Sequence, residues 1–214
     1  MAFDWHRAIE LNRIALEGVV SHILLILLQH QSDRIICMAV WRRRLLLRLL
    51  VPAEAAARRL IFIVARVMKL SGLLRQAAAK RPPDFKAFAP GSKAPRFMLV
   101  DPRKNLDWSA FASEKGASSA AAVGTPSDKY APIACDDILC RTQALEAALK
   151  DLPASARRMA QEEAKRVLKE PGPSSMPPIR MGFPPGFRKK RSYEVDDVLA
   201  ECAALARDLE NAPP

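Results

Sequence analysis

The stretch from Met38 to Leu50, MAVWRRRLLLRLL, sets four arginines, Arg42, Arg43, Arg44 and Arg48, inside an otherwise apolar run. In a helix successive side chains are 100° apart, so three consecutive arginines fan over about 200° and cannot share one narrow stripe. Some of them must snorkel, form internal ion pairs or meet a partner. The constraint tightens downstream. From residue 42 to 69 there are eight basic residues, Arg58, Arg59, Arg66 and Lys69 among them, against one acid, Glu54. Such a run reads either as an anionic-surface contact, to nucleic-acid phosphates or lipid headgroups, or as a helix whose arginine stems cover its own apolar surface.

The whole chain of 214 residues carries 34 Lys plus Arg against 23 Asp plus Glu, a formal charge of +11. That excess is local. Residues 1–80 hold 13 basic and 5 acidic side chains, residues 81–133 hold 8 and 5, and residues 134–214 hold 13 of each. Aromatic residues are only 6% of the chain, and the abundance of Ala, Leu and Arg predicts a mainly α protein with helical-bundle elements and an aliphatic core.

In the first 80 residues the pattern predicts a basic three-helix unit. Asp4 suits an N-cap, followed by Glu10, Arg13 and Glu17 at spacings of three and four on one face. Ser32 and Asp33 predict a second cap before Ile35, and Pro52 suits the first turn of a third helix running to Gly72. The uncharged stretch Gly18–Ser32 has an apolar kernel of only Val19 to Leu28, shorter than the roughly 18–20 residues that cross a bilayer, so a buried helix is expected. About 80 residues is marginal for an isolated core, which points to self-association or a helical partner.

Residues 81–133 change texture, with prolines at 82, 83, 90, 95, 102, 126 and 132. Mostly loop is expected, partly disordered over Ala112 to Ser127, with at most a small β-hairpin near 96–111 turned at Asp101-Pro102. Residues 134–170 read as amphipathic helices, 171–192 as a proline-rich basic linker and 193–214 as a final amphipathic helix.

Two of these C-terminal segments are alike. CDDILCRTQALEAALKDLP from Cys135 and VDDVLAECAALARDLENAP from Val195 agree at seven of nineteen positions at an offset of sixty, beginning with Asp136/Asp196 and Asp137/Asp197. Both open on an acidic pair suited to a helix N-terminus. Both carry an apolar seam, represented by Ile138, Leu145 and Leu149 in one and Val198, Leu205 and Leu209 in the other, that a partner helix or the rest of the chain must cover.

Three islands, PAEAAARRL from Pro52, VDPRK from Val100 and PPGFRKKRSYEVDDVLAEC from Pro184, resemble a group of bacterial proteins without an assigned activity. The resemblance implies a bacterial cell interior and nothing about chemistry.

The last island contains a second basic cluster, Arg188, Lys189, Lys190 and Arg191, flanked by Phe183, Phe187 and Tyr193. Cations interleaved with rings suit a single strand, phosphates on the cations and bases on the rings. The competing reading pairs them internally with Glu194, Asp196 and Asp197. Chemistry-bearing motifs are lacking. Cys135 and Cys140 are five apart, unlike the closer spacing that converges on zinc, and the three histidines all lie within residues 6–30, with His22 and His30 two turns apart. Four scattered cysteines suit reduced thiols. No nucleophile elbow, Walker loop or dinucleotide glycine fingerprint occurs, so no catalytic residue, metal or cofactor is expected. The expectation is a non-enzymatic cytoplasmic binding or assembly protein for nucleic acid, with partner helices or a second copy. The alternative is a peripheral membrane protein that meets anionic lipid through its N-terminal helices.

Overall fold

The computed structural model describes residues 3–29, 31–32, 35–68, 96–101, 130, 132–168, 179 and 182–211, and within these the protein is mainly α. The order is α1 (Trp5–Leu28), β1 (Gln31–Ser32), β2 (Ile35–Ala39), α2 (Val40–Val67), β3 (Pro132–Ala134), α3 (Asp136–Lys150), α4 (Leu152–Leu168) and α5 (Glu194–Asn211). The segment expected to be disordered, 112–127, lies outside the described residues, as does the far arm of the expected hairpin. The near arm, Phe97–Val100, is described and forms no strand.

The helix α1 begins where its sequence predicts, with the Asp4 carboxylate accepting the Arg7 backbone N–H at 3.0 Å. Its buried stripe is Ala8, Asn12, Leu16, Val20, Ile23 and Leu27, the three-and-four spacing of an amphipathic helix. The second helix departs from expectation at its start. Residues 35–39 are a strand, and α2 begins only at Val40. Their burial shows why: Ile36 and Met38 are buried while Cys37 between them is exposed, a period of two that belongs to a sheet. β2 pairs antiparallel with β1 on one edge and with β3 on the other, in the register Cys37↔Ala134 and Met38↔Ile133.

Pro52 does not open a third helix. It lies inside α2, so the expected three-helix unit is two helices joined through a small sheet. A proline there deprives the Arg48 carbonyl of its internal hydrogen bond. The loss is offset from outside the helix, because the Arg188 guanidinium donates to that carbonyl at 3.3 Å. Gly186 lies against the same spot with φ of +79°, and a Cβ on it would come within 2.9 Å of Pro52 Cδ and N. The loop 182–192, read from sequence as linker, is thus docked on α2.

α2 is the centre of the fold. Every residue from Pro52 to Ala65 is buried, and the helix packs against α1, α3, α4 and α5. Ala53, Ala55, Ala56 and Ala57 are fully buried, small enough for neighbours to approach on several sides, while Leu60, Ile61 and Ile63 fill the space beyond them. The Asn12 side chain on α1 donates to Glu201 Oε1 of α5 at 3.1 Å and accepts from the Cys202 thiol at 3.4 Å, tying α1 to α5.

Gly186→Ala should lower stability by about 1–3 kcal/mol, since alanine at that φ is strained and its methyl would collide with Pro52. The midpoint of chemical denaturation measures it, and an unchanged midpoint would show that the loop is not held at Pro52.

Candidate polyanion-binding surface

The structure sorts the basic residues into two kinds. Arg58 and Arg59 are inside the protein, with side chains 3% and 2% exposed. The Arg58 guanidinium donates to the Met98 carbonyl at 2.9 Å, to Asp101 at 3.4 Å and to Glu54 at 3.4 Å, and lies 5.6 Å from the Phe97 ring centre. Arg59 donates to the Ala55 carbonyl at 2.8 Å and to Asp101 at 3.1 Å. Arg141 of α3 completes the cluster with two hydrogen bonds of 2.9 Å to the two Glu54 oxygens. Desolvation pulls the pKa of both buried guanidiniums down; Glu54 and Asp101 oppose it at Arg58, and Asp101 opposes it at Arg59. These two arginines fasten the segment 96–101 onto α2 and present nothing to a ligand, which corrects the expectation that they contact a polyanion.

Of the remaining arginines of α2, Arg66 lies in its last turn and pairs with Glu163 of α4 at 2.9 Å, and the other four lie near its first turns. Arg43 is half-buried and paired with Asp137 of α3 at 2.9 Å. Arg42 is exposed, with its guanidinium 5.1 Å from the Trp41 ring centre. Arg44 and Arg48 are exposed, and no carboxylate lies within ion-pair distance of either among the described residues. They line a shallow cavity of about 340 Å³ together with Leu47, Val51, Pro52, Gly186 and Arg188. Two basic clusters 140 residues apart in sequence therefore meet at the proline of α2.

The second cluster divides in the same way. Arg191 is paired with Asp197 at 3.0 Å, as its internal-pairing reading expects, while Arg188 stands 4.0 Å from Asp196 and 5.7 Å from the Tyr193 ring centre. Lys189 and Lys190 are exposed. On the other side of this loop a wider cleft of about 610 Å³ is lined by Phe183, Phe187, Arg191, Ala200, Ala204 and Arg207, among others. Phe183 is 71% exposed and its ring centre is 5.0 Å from that of Phe187. One loop thus carries Arg188 into the smaller cavity and the exposed Phe183 ring, set against half-buried Phe187, into the wider cleft.

The seam residues of the two similar helices are not on offer to a partner. Ile138, Leu145, Leu149, Val198 and Leu205 are buried in the chain's own core, and Leu209 packs half-buried against it. The helices also share their anchoring. The first aspartate of each pair accepts backbone N–H groups, Asp136 from Ile36 at 3.5 Å and Asp196 from Ser192 and Tyr193 at 3.1 and 3.2 Å. The second aspartate of each pair holds an arginine, Arg43 or Arg191.

The peripheral-membrane alternative, which gives the N-terminal helices to a lipid surface, bears on α1. It is the one helix among the described residues long and apolar enough to cross a membrane, and only 28% of its most apolar 18-residue stretch is buried. The two buried thiols offer little chemistry at neutral pH, since burial raises Cys135 to about 11 and Cys202 to about 12. No group of three His, Cys, Asp or Glu side chains that could hold a metal occurs among the described residues. No protein-family model, curated protein or solved structure matches this chain.

Asp101→Asn should destabilise the fold by about 3–5 kcal/mol, because it leaves two buried guanidiniums short of their counter-charge. Thermal denaturation reads this; a loss under 1 kcal/mol would contradict the role given to the cluster. A mild thiol reagent at pH 8 should label Cys37 and Cys140, which are exposed, and spare Cys135 and Cys202 until denaturant is added. Labelling of all four native thiols at equal rates would contradict the packing of α3 and α5.

Proposed function

We propose that this is a non-enzymatic binding protein of the bacterial cytoplasm that holds single-stranded nucleic acid across the loop 182–191. The observation that carries the reading is the convergence of Arg44, Arg48 and Arg188 on one cavity, with the exposed ring of Phe183, set against half-buried Phe187, on the same loop. Phosphates would lie against the guanidiniums, with Lys189 and Lys190 beside them. Bases would stack on Phe183. Duplex offers no unstacked base to the rings, so this arrangement favours single strands.

Salt and ring dependence test the two halves separately. Affinity for a fluorescent single-stranded oligonucleotide should fall steeply with salt, and Arg48→Ala should flatten the plot of log affinity against log salt by about 0.7 per lost phosphate contact. Phe183→Ala should cost about 1–3 kcal/mol of binding while leaving the salt slope unchanged. Absence of binding to single or double strands at low salt removes the proposal. Binding to vesicles of anionic phospholipid with no affinity for oligonucleotide would replace it with the peripheral-membrane reading.

A further inference from the structure

The outward face of α1 is the largest feature the nucleic-acid reading leaves unused. Leu11, Ile14, Leu25 and Leu28 are each more than half exposed, at 56–57%. With Gly18 and Ser21, also exposed, they form the series 11, 14, 18, 21, 25, 28, alternating steps of three and four. That is the 3.5-residue repeat of a helix facing another helix. A surface facing lipid needs apolarity but no such seam.

We propose that this face is a self-association surface, on which α1 of a second copy lies antiparallel about a two-fold axis between residues 19 and 20. In that register the seam is complementary to itself. Leu11 meets Leu28 of the partner subunit, Ile14 meets Leu25 of the partner subunit, and Gly18 meets Ser21 of the partner subunit. Large side chains face large ones at both ends, and small ones face at the crossing, where the backbones approach closely.

Two further observations fit this occupant. A Cβ on Gly18 would meet nothing within 4 Å, so the fold of one chain has no need of glycine there. An exposed mid-helix glycine nevertheless costs about 0.8–1 kcal/mol relative to alanine, and a close helix crossing is a reason to keep it. Charge is complementary as well. The last turn of α1 holds no basic residue to balance the negative end of its dipole. Arg7 is exposed on the same outward face and makes no ion pair among the described residues. The antiparallel register carries it to that end of the neighbouring helix, where a cation is stabilising. The parallel arrangement would instead stack Arg7 on its own copy. The 24-residue helix is about 36 Å long, and a contact along one helix per copy is smaller than the roughly 1,600 Å² of a standard interface, so a weak, concentration-dependent dimer is expected.

The test is the molar mass of the full chain by sedimentation equilibrium through the micromolar range, for the native protein and for Gly18→Leu. The expected result is a monomer–dimer equilibrium that Gly18→Leu weakens at least tenfold, while its thermal midpoint stays level or rises. Orientation follows from disulfide trapping in a Cys37→Ser, Cys140→Ser background. Ile14→Cys with Leu25→Cys should give a covalent dimer under mild oxidation, and Leu25→Cys alone should not. A chain that is monomeric throughout, or a dimer indifferent to Gly18→Leu, overturns the proposal. So does a monomer that Gly18→Leu drives onto phosphatidylcholine vesicles, which would give the face to a bilayer. None of these readouts uses nucleic acid, so this inference and the proposed function fail independently.

Discussion

The fold depends on the cost of burying two adjacent arginines in its central helix. Arg58 and Arg59 lie inside α2, where every residue from Pro52 to Ala65 is covered. Charges taken out of water are tolerated only when paired and hydrogen-bonded, so their position dictates what must surround them. Asp101 and the backbone around Phe97 and Met98 have to arrive from a distant part of the chain, and Glu54 with Arg141 has to bring α3 alongside. Aliphatic packing supplies most of the favourable energy, but it does not discriminate one arrangement of Ala- and Leu-rich helices from another. The ion cluster does, because most alternative packings would leave a guanidinium or a carboxylate alone in the interior.

The same physics explains where sequence and structure agree. Features with local causes were readable: the helical class, the Asp4 cap, and the acidic starts of α3 and α5. Features that depend on a remote partner were not. β2 reads as the start of a helix until Pro132–Ala134 comes to lie beside it, and Pro52 reads as a helix start until Arg188 supplies the missing donor to the Arg48 carbonyl. The buried arginines are the clearest case. Arg42, Arg43 and Arg44 and the pair Arg58 and Arg59 look alike in sequence, but the former lie near the beginning of α2 and the latter where the helix is wrapped by its neighbours. The one available signal was the lone acid Glu54 four residues before Arg58, a spacing that joins side chains on one helix face.

The three segments beginning at Pro52, Val100 and Pro184 make physical sense together. Pro52 to Leu60 supplies the proline, Glu54 and both buried arginines; Val100-Asp101 supplies their counter-charge; and the segment from Pro184 supplies Gly186 against Pro52 and Arg188 on the freed carbonyl. They are far apart in sequence and adjacent in space. The cavity lined by Arg44, Arg48 and Arg188 is a by-product of this docking, since the loop that repairs the proline also delivers its cation to the basic end of α2. Site and fold therefore share residues, and the positive charge counted over the whole chain reduces at this surface to a few side chains held on two elements.

A central helix buried on all sides also constrains the helices around it. α2 uses α1, α3, α4 and α5 as its cover, so each of them is an outer layer with one face inward and one face outward. α5 meets this with charge, carrying Glu201, Arg207, Asp208 and Glu210 on its exposed side. From Gly18 to Leu28 α1 does not: its exposed positions there are Gly18, Ser21, His22, Leu25 and Leu28, and the stretch holds no acidic, lysine or arginine side chain. Core packing explains the inward stripe of α1 and leaves the outward one unexplained. A chain that spends charge freely on its other surfaces withholds it there, and the exposed face so left has the 3.5-residue repeat that the proposed helix pairing requires.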